Sequence, residues 1–183
     1  MDRVNADWSQ QVLNFWFKEL TKKDWFIASK TLDNTINDRF KATHTHVKQW
    51  SSLPLDTDQH RALAAIIVLD QFSRNIFRGT KDAFGFDSLA LMLAKQTIAR
   101  ELDQSLNDDK KQFVYMPFMH SENLDDQKAA VTLFTDLGRP EYAEKHLAIF
   151  EQFNRFPHRN AVLERKSTSQ EIKFLKDAPR FGQ

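Results

Sequence analysis

The feature that most constrains the fold is the run from Ala62 to Leu69, in which every residue is apolar. A helix built from this run is apolar on all sides, and such a helix is normally enclosed by other elements. The run is far shorter than the ~20 apolar residues that cross a membrane. We therefore predict a central helix within a globular protein, capped at its start by Asp58 and stopped by Gly79.

The rest of the chain also has helical patterning. Its 183 residues include only 4 Gly and 5 Pro, too few turn residues for a many-stranded sheet, and apolar residues recur at intervals of three and four. The predicted fold class is all-α, with antiparallel helical hairpins in a tetratricopeptide-like superhelix or compact bundle of about eight helices. One local match to a tetratricopeptide unit, from Gly138 to Pro157, supports this architecture, although no second copy follows at the same period. Because no linker divides the predicted helices, residues 1–183 are predicted to form a single helical domain.

Capping residues and prolines set the predicted helix limits. Asp7 and Gln10 form a reciprocal cap for the first helix, and Pro117 is expected to break the chain after Tyr115. Trp25 to Lys30 is predicted to be a connector. The second helix is predicted along the stripe from Ile36 to Trp50, and the fourth begins between Thr80 and Asp82 and reaches about Leu102. The fifth runs from about Asn107 to Tyr115 and the sixth from Asn123 to Leu137. The seventh runs from Arg139 to the Phe156 and Pro157 pair, and the last begins at a cap formed by Ser167 and Gln170 and ends at Leu175.

Composition excludes several classes of function. Lys plus Arg number 26 and Asp plus Glu number 25, so a net charge of +1 provides no overall attraction to nucleic acid or to an anionic membrane. The absence of cysteine and of an apolar leader favours a cytoplasmic protein. No glycine-rich phosphate loop, G-x-S-x-G elbow or H-E-x-x-H pair is present, and His44 and His46 are poorly spaced for a metal, so we predict neither cofactor nor metal.

Three polar clusters interrupt the apolar sequence and form the candidate site. They are Leu69 to Thr80, Tyr115 to Gln127 and Phe153 to Asn160. A buried polar group without a partner costs roughly 1 to 3 kcal/mol. The clusters must therefore satisfy one another, enclose water or receive a ligand, and we predict that they meet around a common hollow.

In the first cluster, Asp70 and Arg74 are four residues apart and can pair on one helical face. Arg74 and Arg78 also complement the helix dipole, so stability alone can account for all three charges. The functional alternative is that an anion, or a carboxylate from elsewhere, lies between the two arginines. Gln71 and Asn75 either orient a ligand or satisfy loop carbonyls.

The second cluster precedes a helix, where the backbone favours negative charge. Ser121 or Asn123 as the N-cap, with Glu122 in the first turn, is the structural interpretation. The catalytic alternative makes His120 and Glu122 an acid and base pair. Gln127 lies on an apolar stripe, so its amide faces inward and requires a partner.

The third cluster surrounds a Phe-Pro bend. Arg155 and Arg159 flank this bend, and His158 and Asn160 add further donors and acceptors. His146 lies on the apolar face of the preceding helix, where a satisfied core histidine is favoured over a ligand or catalyst. Basic residues next to Phe can contact nucleic acid, but the patch is short and the overall charge is balanced, which disfavours that function.

Together with VLNFWF and AFGFDSLAL, these three segments resemble the bacterial family known as domain of unknown function 924. The resemblance spans nearly the whole chain, implies an all-helical, tetratricopeptide-like fold and brings no established activity. Ser73, Phe86 and Asn154 stand where the family usually has proline, threonine and glycine. The characteristic family positions are occupied here by Asp70, Gln71, Arg74, Asn75, Arg78, His120, Ser121, Glu122, Gln127, His146, Arg155, His158, Arg159 and Asn160.

Three hypotheses follow. In the first, Arg74, Arg78, Arg155 and Arg159 hold a small anion or an acidic peptide terminus in a polar pocket. In the second, the protein is a metal-independent enzyme, such as a hydrolase, in which Glu122 or His120 transfers protons. In the third, the polar core is structural and a partner binds an outer helical face. The sequence leaves the reaction, ligand and oligomeric state open.

Overall fold

The computed structural model describes residues 7–177, and in that part of the chain eight helices and no strands are present. Helix α1 is α-helical over Trp8–Asn14 and π-helical over Phe15–Glu19. Helix α3 is α-helical over Gln59–Ile67, becomes π-helical over Val68–Phe72 and is α-helical again over Ser73–Ile76. The remaining helices are α2 Lys30–Val47, α4 Asp87–Ala99, α5 Asp108–His120, α6 Leu124–Asp136, α7 Glu141–Phe153 and α8 Ser169–Asp177. Short 3-10 turns occur at Asp24–Phe26, Lys81–Ala83 and Pro157–Arg159. The all-α prediction is confirmed.

Helix α3 lies at the centre of the fold, as predicted. Every residue from Ala62 to Leu69 has no exposed surface, and the helix contacts α1, α2, α4 and α5. Its first turn is capped by the Asp58 carboxylate, which accepts a hydrogen bond from the Arg61 backbone N–H at 2.8 Å. The π-helical segment overlaps the end of the apolar run and contains Asp70, so the buried Asp70 carboxylate lies on the most enclosed helix.

Successive helices from α3 to α7 pack against one another, as expected for helical hairpins. Asn123 caps α6 by accepting hydrogen bonds from the backbone N–H groups of Asp125 and Asp126, and Gly138 ends the following turn at φ +66°. The predicted limits of this helix are therefore correct. None of the helices within residues 7–177 has the length and apolar content to cross a bilayer.

The predicted break at Pro117 is wrong. Pro117 is buried inside α5, which continues to His120. A proline in a helix interior costs about 3 kcal/mol. Here all residues from Phe113 to Met119 are buried, and their packing outweighs that cost. As a result, His120 lies at a helix end rather than in a loop.

Two predicted helix starts also differ from the structure. The Asp7 backbone is not extended, its side chain makes no capping hydrogen bond, and the Gln10 amide donates to Asn14 instead. The fourth helix was expected to begin near Thr80. Residues Lys81–Ala83 instead form a 3-10 turn, α4 begins at Asp87, and it ends before the expected Leu102.

The C-terminal third departs from the prediction at two positions. Helix α7 ends before the Phe-Pro pair because Asn154 adopts a left-handed conformation with φ +54°. Helix α8 is capped by Thr168 and Glu171, whose side chains each accept a hydrogen bond from the other's backbone N–H. The predicted cap at Ser167 and Gln170 is therefore one residue out of register.

Candidate functional site

A network of four charged side chains joins α3, α4 and the Pro157–Arg159 turn. Asp70 and Arg159 are buried and Arg74 and Asp87 are partly buried, and we call this set the buried network. The Arg74 guanidinium lies 3.3 Å from the Asp70 carboxylate and donates two hydrogen bonds, at 3.0 and 3.1 Å, to Asp87. Asp87 in turn pairs with Arg159 at 3.1 Å. Two carboxylates thus balance two guanidinium groups, so the network is compensated in a region of low dielectric constant.

His120 extends this network. Its Nδ1 lies 2.7 Å from Asp70 Oδ1, and Gln71 donates to the other oxygen of the same carboxylate. Burial alone would raise the pKa of Asp70, but the charges of His120 and Arg74 and the hydrogen bonds from His120 and Gln71 outweigh burial and hold this pKa well below its usual range. Because Asp70 stays ionised, it fixes the His120 ring with the proton on Nδ1. Arg159 donates to the His120 carbonyl at 2.9 Å, which holds the end of α5.

Glu122 is fully engaged by its neighbours. Its carboxylate accepts a hydrogen bond from the Phe156 backbone N–H at 2.9 Å and one from the Arg165 guanidinium at 2.9 Å, and its other oxygen lies 2.8 Å from the same guanidinium in an ion pair. Burial raises the pKa of Glu122, but the Arg165 and Phe156 hydrogen bonds outweigh burial, so the pKa falls below its usual value. An ionised carboxylate has no proton to donate, and a lowered pKa makes it a weak base. The geometry therefore favours His120 over Glu122 for proton transfer.

Ser121 and Gln127 organise the turn between α5 and α6. Ser121 is not the N-cap; its hydroxyl donates to the Asp126 carboxylate at 2.7 Å, and Asn123 is the cap. The Gln127 amide faces inward as predicted and donates to the carbonyls of Met119 at 2.8 Å and Ser121 at 2.6 Å. These bonds satisfy carbonyl groups that have no hydrogen-bond partner within the helix at the end of α5.

His146 is a buried core residue that borders the network. Its Nδ1 donates to the Tyr142 carbonyl at 2.7 Å, and its ring lies 6.1 Å from the His120 ring, between centroids. Burial, together with the charge of His120, lowers the pKa of His146 to about 4. His146 is therefore neutral at pH 7.

Asn75 and Arg78 lie apart from this network. Asn75 donates to Asp33 at 2.8 Å, and Arg78 donates to both oxygens of the same carboxylate at 2.7 and 2.9 Å. The three residues line a separate hollow of about 460 Å³ at the start of α2. Arg74 and Arg78 thus each have their own carboxylate partner, and the prediction that all the polar residues meet at a common hollow is wrong for Asn75 and Arg78.

Most of the third cluster holds α8 in place. Arg155 makes a two-point ion pair with Glu171, at 2.6 and 2.8 Å. His158 packs edge-on against Phe174, and Asn160 donates to Ser167. Within this cluster, Arg159 is the arginine that the structure places in the buried network. Arg155, His158 and Asn160 were predicted at the common hollow, but their side chains contact α8 and the segment that leads into it instead.

A cleft of about 300 Å³ opens beside the buried network, and we name it the His120 cleft. Its walls come from the end of α5, from the start of α4 with the turn before it, and from the segment between Arg159 and Arg165. Its polar lining includes His120, Ser121, Glu122, Arg159, Asp87, Lys81 and Arg165, and its apolar lining includes Phe84, Leu91 and Leu163. Members of all three polar clusters therefore meet at this cleft or directly behind it.

Sequence reasoning missed the partner carboxylates Asp33, Asp87 and Glu171, and the cleft residues Lys81 and Arg165. One indication was available in the sequence. The first and third clusters contain more arginine than carboxylate, and buried guanidinium groups require acidic partners. The missing acids had to come from other segments, although nothing in the sequence identifies which ones.

Comparison with known proteins agrees with the resemblance noted from the motifs. Residues 12–179 match the family model described as bacterial protein of unknown function (DUF924). The structure is similar to that of a protein of unknown function from Agrobacterium tumefaciens, with a TM-score of 0.85 and 33% sequence identity over 94% of this chain and 99% of that chain. Among curated proteins, none matches the chain. The chain belongs to the DUF924 family of bacterial proteins.

Proposed function

We propose that the His120 cleft binds a small anionic ligand. The observation that carries this proposal is the charge of the lining, where Lys81, Arg159 and Arg165 face only two carboxylates, Asp87 and Glu122. Both guanidinium groups are ion-paired, whereas Lys81 has no carboxylate partner among residues 7–177. The surplus positive charge at a concave surface attracts an anion, and the positioned guanidinium groups can share hydrogen bonds with it.

The size of the cleft favours a small molecule. A volume of about 300 Å³ is at the lower end of the range for small-molecule sites. An acidic peptide terminus is the alternative, because the terminal carboxylate alone can occupy such a space while the rest of the peptide lies outside.

The anion-binding proposal predicts stabilisation that depends on Lys81. At constant ionic strength, a small carboxylate or phosphate at 100 times its Kd should stabilise the wild-type protein by roughly 2.7 kcal/mol. The Lys81→Met variant should lose most of this stabilisation because the unpaired charge is gone. Thermal unfolding midpoints across a library of carboxylates and phosphates provide the measurement.

The matched control is Lys41→Met, which removes another exposed lysine, on α2 and outside the cleft lining. This variant should respond to ligands as the wild type does. If no anion raises the wild-type midpoint, or if both variants lose the response equally, the cleft is not the binding site.

A second candidate function is a metal-independent hydrolase. The observation that favours it is the Asp70–His120 pair, in which a buried carboxylate orients an imidazole that lines the cleft. In this mechanism His120 accepts a proton from water as the water attacks an ester, and returns that proton to the leaving oxygen. Lys81 and Arg165 would stabilise the negative charge that develops on the substrate.

Two substitutions separate the acid–base assignments. If the protein hydrolyses esters, turnover should fall by about 100-fold or more in His120→Gln, because general acid–base catalysis contributes on that order. Glu122→Gln should retain most of its turnover, since Glu122 is held by Arg165 and the Phe156 backbone. Turnover of a panel of small anionic esters, with circular dichroism to confirm folding, provides the comparison. Equal activity in wild type and His120→Gln would exclude His120 as the catalyst.

A further inference from the structure

The ligand class follows from the two kinds of surface in the His120 cleft. We propose that the cleft takes a small monocarboxylic acid with a compact apolar body. This inference rests on the anion-binding function proposed above and specifies the chemistry of the anion. Its evidence is the placement of an apolar wall beside a single surplus charge.

The charge balance favours a monoanion. Arg159 shares its charge with Asp87, and Arg165 shares its charge with Glu122. His120 faces the Asp70 carboxylate, so among the basic side chains in the described lining Lys81 is the one without a carboxylate partner. A carboxylate satisfies that balance, whereas a phosphate dianion would bring a second negative charge close to Asp87 and Glu122, where like charges repel.

The apolar wall favours a ligand with a hydrocarbon body. Phe84, Leu91 and Leu163 line the cleft and are partly exposed. The Arg159 guanidinium lies 4.6 Å from the centroid of the Phe84 ring, a cation–π contact that helps to hold the ring in place. An apolar group bound against this wall is removed from water, which strengthens binding roughly fourfold for each buried methylene.

The volume limits the size of that body. About 300 Å³ corresponds to the space of roughly ten water molecules in the liquid. A carboxylate with a short branched chain or one ring fills this space, whereas most of a long fatty acyl chain or of a nucleotide would lie outside the cleft in water. Small size, single charge and apolar character together define the class.

The test is a matched ligand series measured by isothermal titration calorimetry at pH 7 and constant ionic strength. The ligands are acetate, butanoate, 4-methylpentanoate, inorganic phosphate and the neutral alcohol 4-methylpentan-1-ol. We expect 4-methylpentanoate to bind at least tenfold more tightly than acetate, phosphate and the alcohol. Lys81→Met should weaken the binding of every acid, whereas Leu163→Asn and Leu91→Asn should reduce the advantage of 4-methylpentanoate over acetate.

The outcomes distinguish this inference from the function on which it rests. If phosphate binds as tightly as 4-methylpentanoate, or if all the acids bind equally, the anion-binding function stands and the ligand class is overturned. If the advantage of 4-methylpentanoate persists in both Leu91→Asn and Leu163→Asn, the apolar wall does not hold the ligand and the inference fails. If none of the anions binds, the proposed function fails together with the ligand class.

Discussion

Replacement of Arg74 with methionine should lower the free energy of unfolding by about 3–5 kcal/mol. Arg74 is the cation that the Asp70 and Asp87 carboxylates share, and its guanidinium also donates to the Asp70 carbonyl. Methionine fills a similar space without a charge, so Asp70 keeps only His120 and Gln71 as partners. A buried carboxylate that loses its counter-ion carries a large desolvation cost. Urea unfolding followed by tryptophan fluorescence measures the loss.

The matched control for this prediction is Arg139→Met. Arg139 also pairs with an aspartate, Asp109, but its side chain is 40% exposed, compared with 15% for Arg74. Exposed ion pairs contribute up to about 1 kcal/mol, so this variant should remain close to the wild type. Equal losses in the two variants would show that the Arg74 network is no more stabilising than a surface pair.

The parts of the fold that the sequence predicts correctly depend on local rules. The Ala62 to Leu69 run requires an enclosed helix whatever surrounds it, and Asp58 and Asn123 cap helices through bonds to residues two or three positions away. Pro117 follows the opposite pattern, because the local rule predicts a break and the packing of α5 keeps the helix intact. Whether a helix continues through a proline depends on packing against distant segments, and the residues of the helix alone do not show that packing.

The same distinction explains the site. The contact between Asp70 and Arg74 was predictable because residues four apart meet on a helix. The stronger partners of the arginines lie 13 residues away for Arg74, 45 for Arg78 and 16 for Arg155. Periodicity carries no information about such pairs, since the path of the chain brings them together. Sequence reasoning therefore found the arginines but not which of them face the cleft.

Two departures from the usual family pattern have a structural explanation. Asn154 adopts φ +54°, a left-handed conformation that glycine accepts freely and asparagine tolerates better than most residues. Ser73 is buried, and its hydroxyl lies 2.9 Å from His44 Nε2, a bond that proline at this position would not form. The serine thus gives a buried histidine a polar partner in the centre of the protein.

That histidine leads to a pH prediction, because His44 and His146 are both buried and neutral. Burial, with a smaller effect from the charge of Lys48, lowers the pKa of His44 to about 4, and the pKa of His146 is also about 4. Histidine in an unfolded chain has a pKa near 6.5. Between these values the unfolded chain binds more protons than the native protein, so stability rises with pH across this window. The free energy of unfolding should therefore fall by about 3 kcal/mol for each histidine as the pH decreases from about 6.5 to 4.

Urea unfolding at pH 7.0, 5.5 and 4.5 tests this prediction, because the slope of unfolding free energy against pH reports the protons taken up. His146→Gln should reduce the slope by nearly one proton, while His60→Gln, at an exposed position on α3, should leave it unchanged. The pKa values of Asp70 and Glu171 are lowered, so their contribution to stability is lost progressively from about pH 5 downward and adds to the slope at the acidic end of this window. The two histidine variants share these carboxylates, so the difference between their slopes reports His146 alone. A slope that is identical in the two variants would show that His146 is not held neutral by burial.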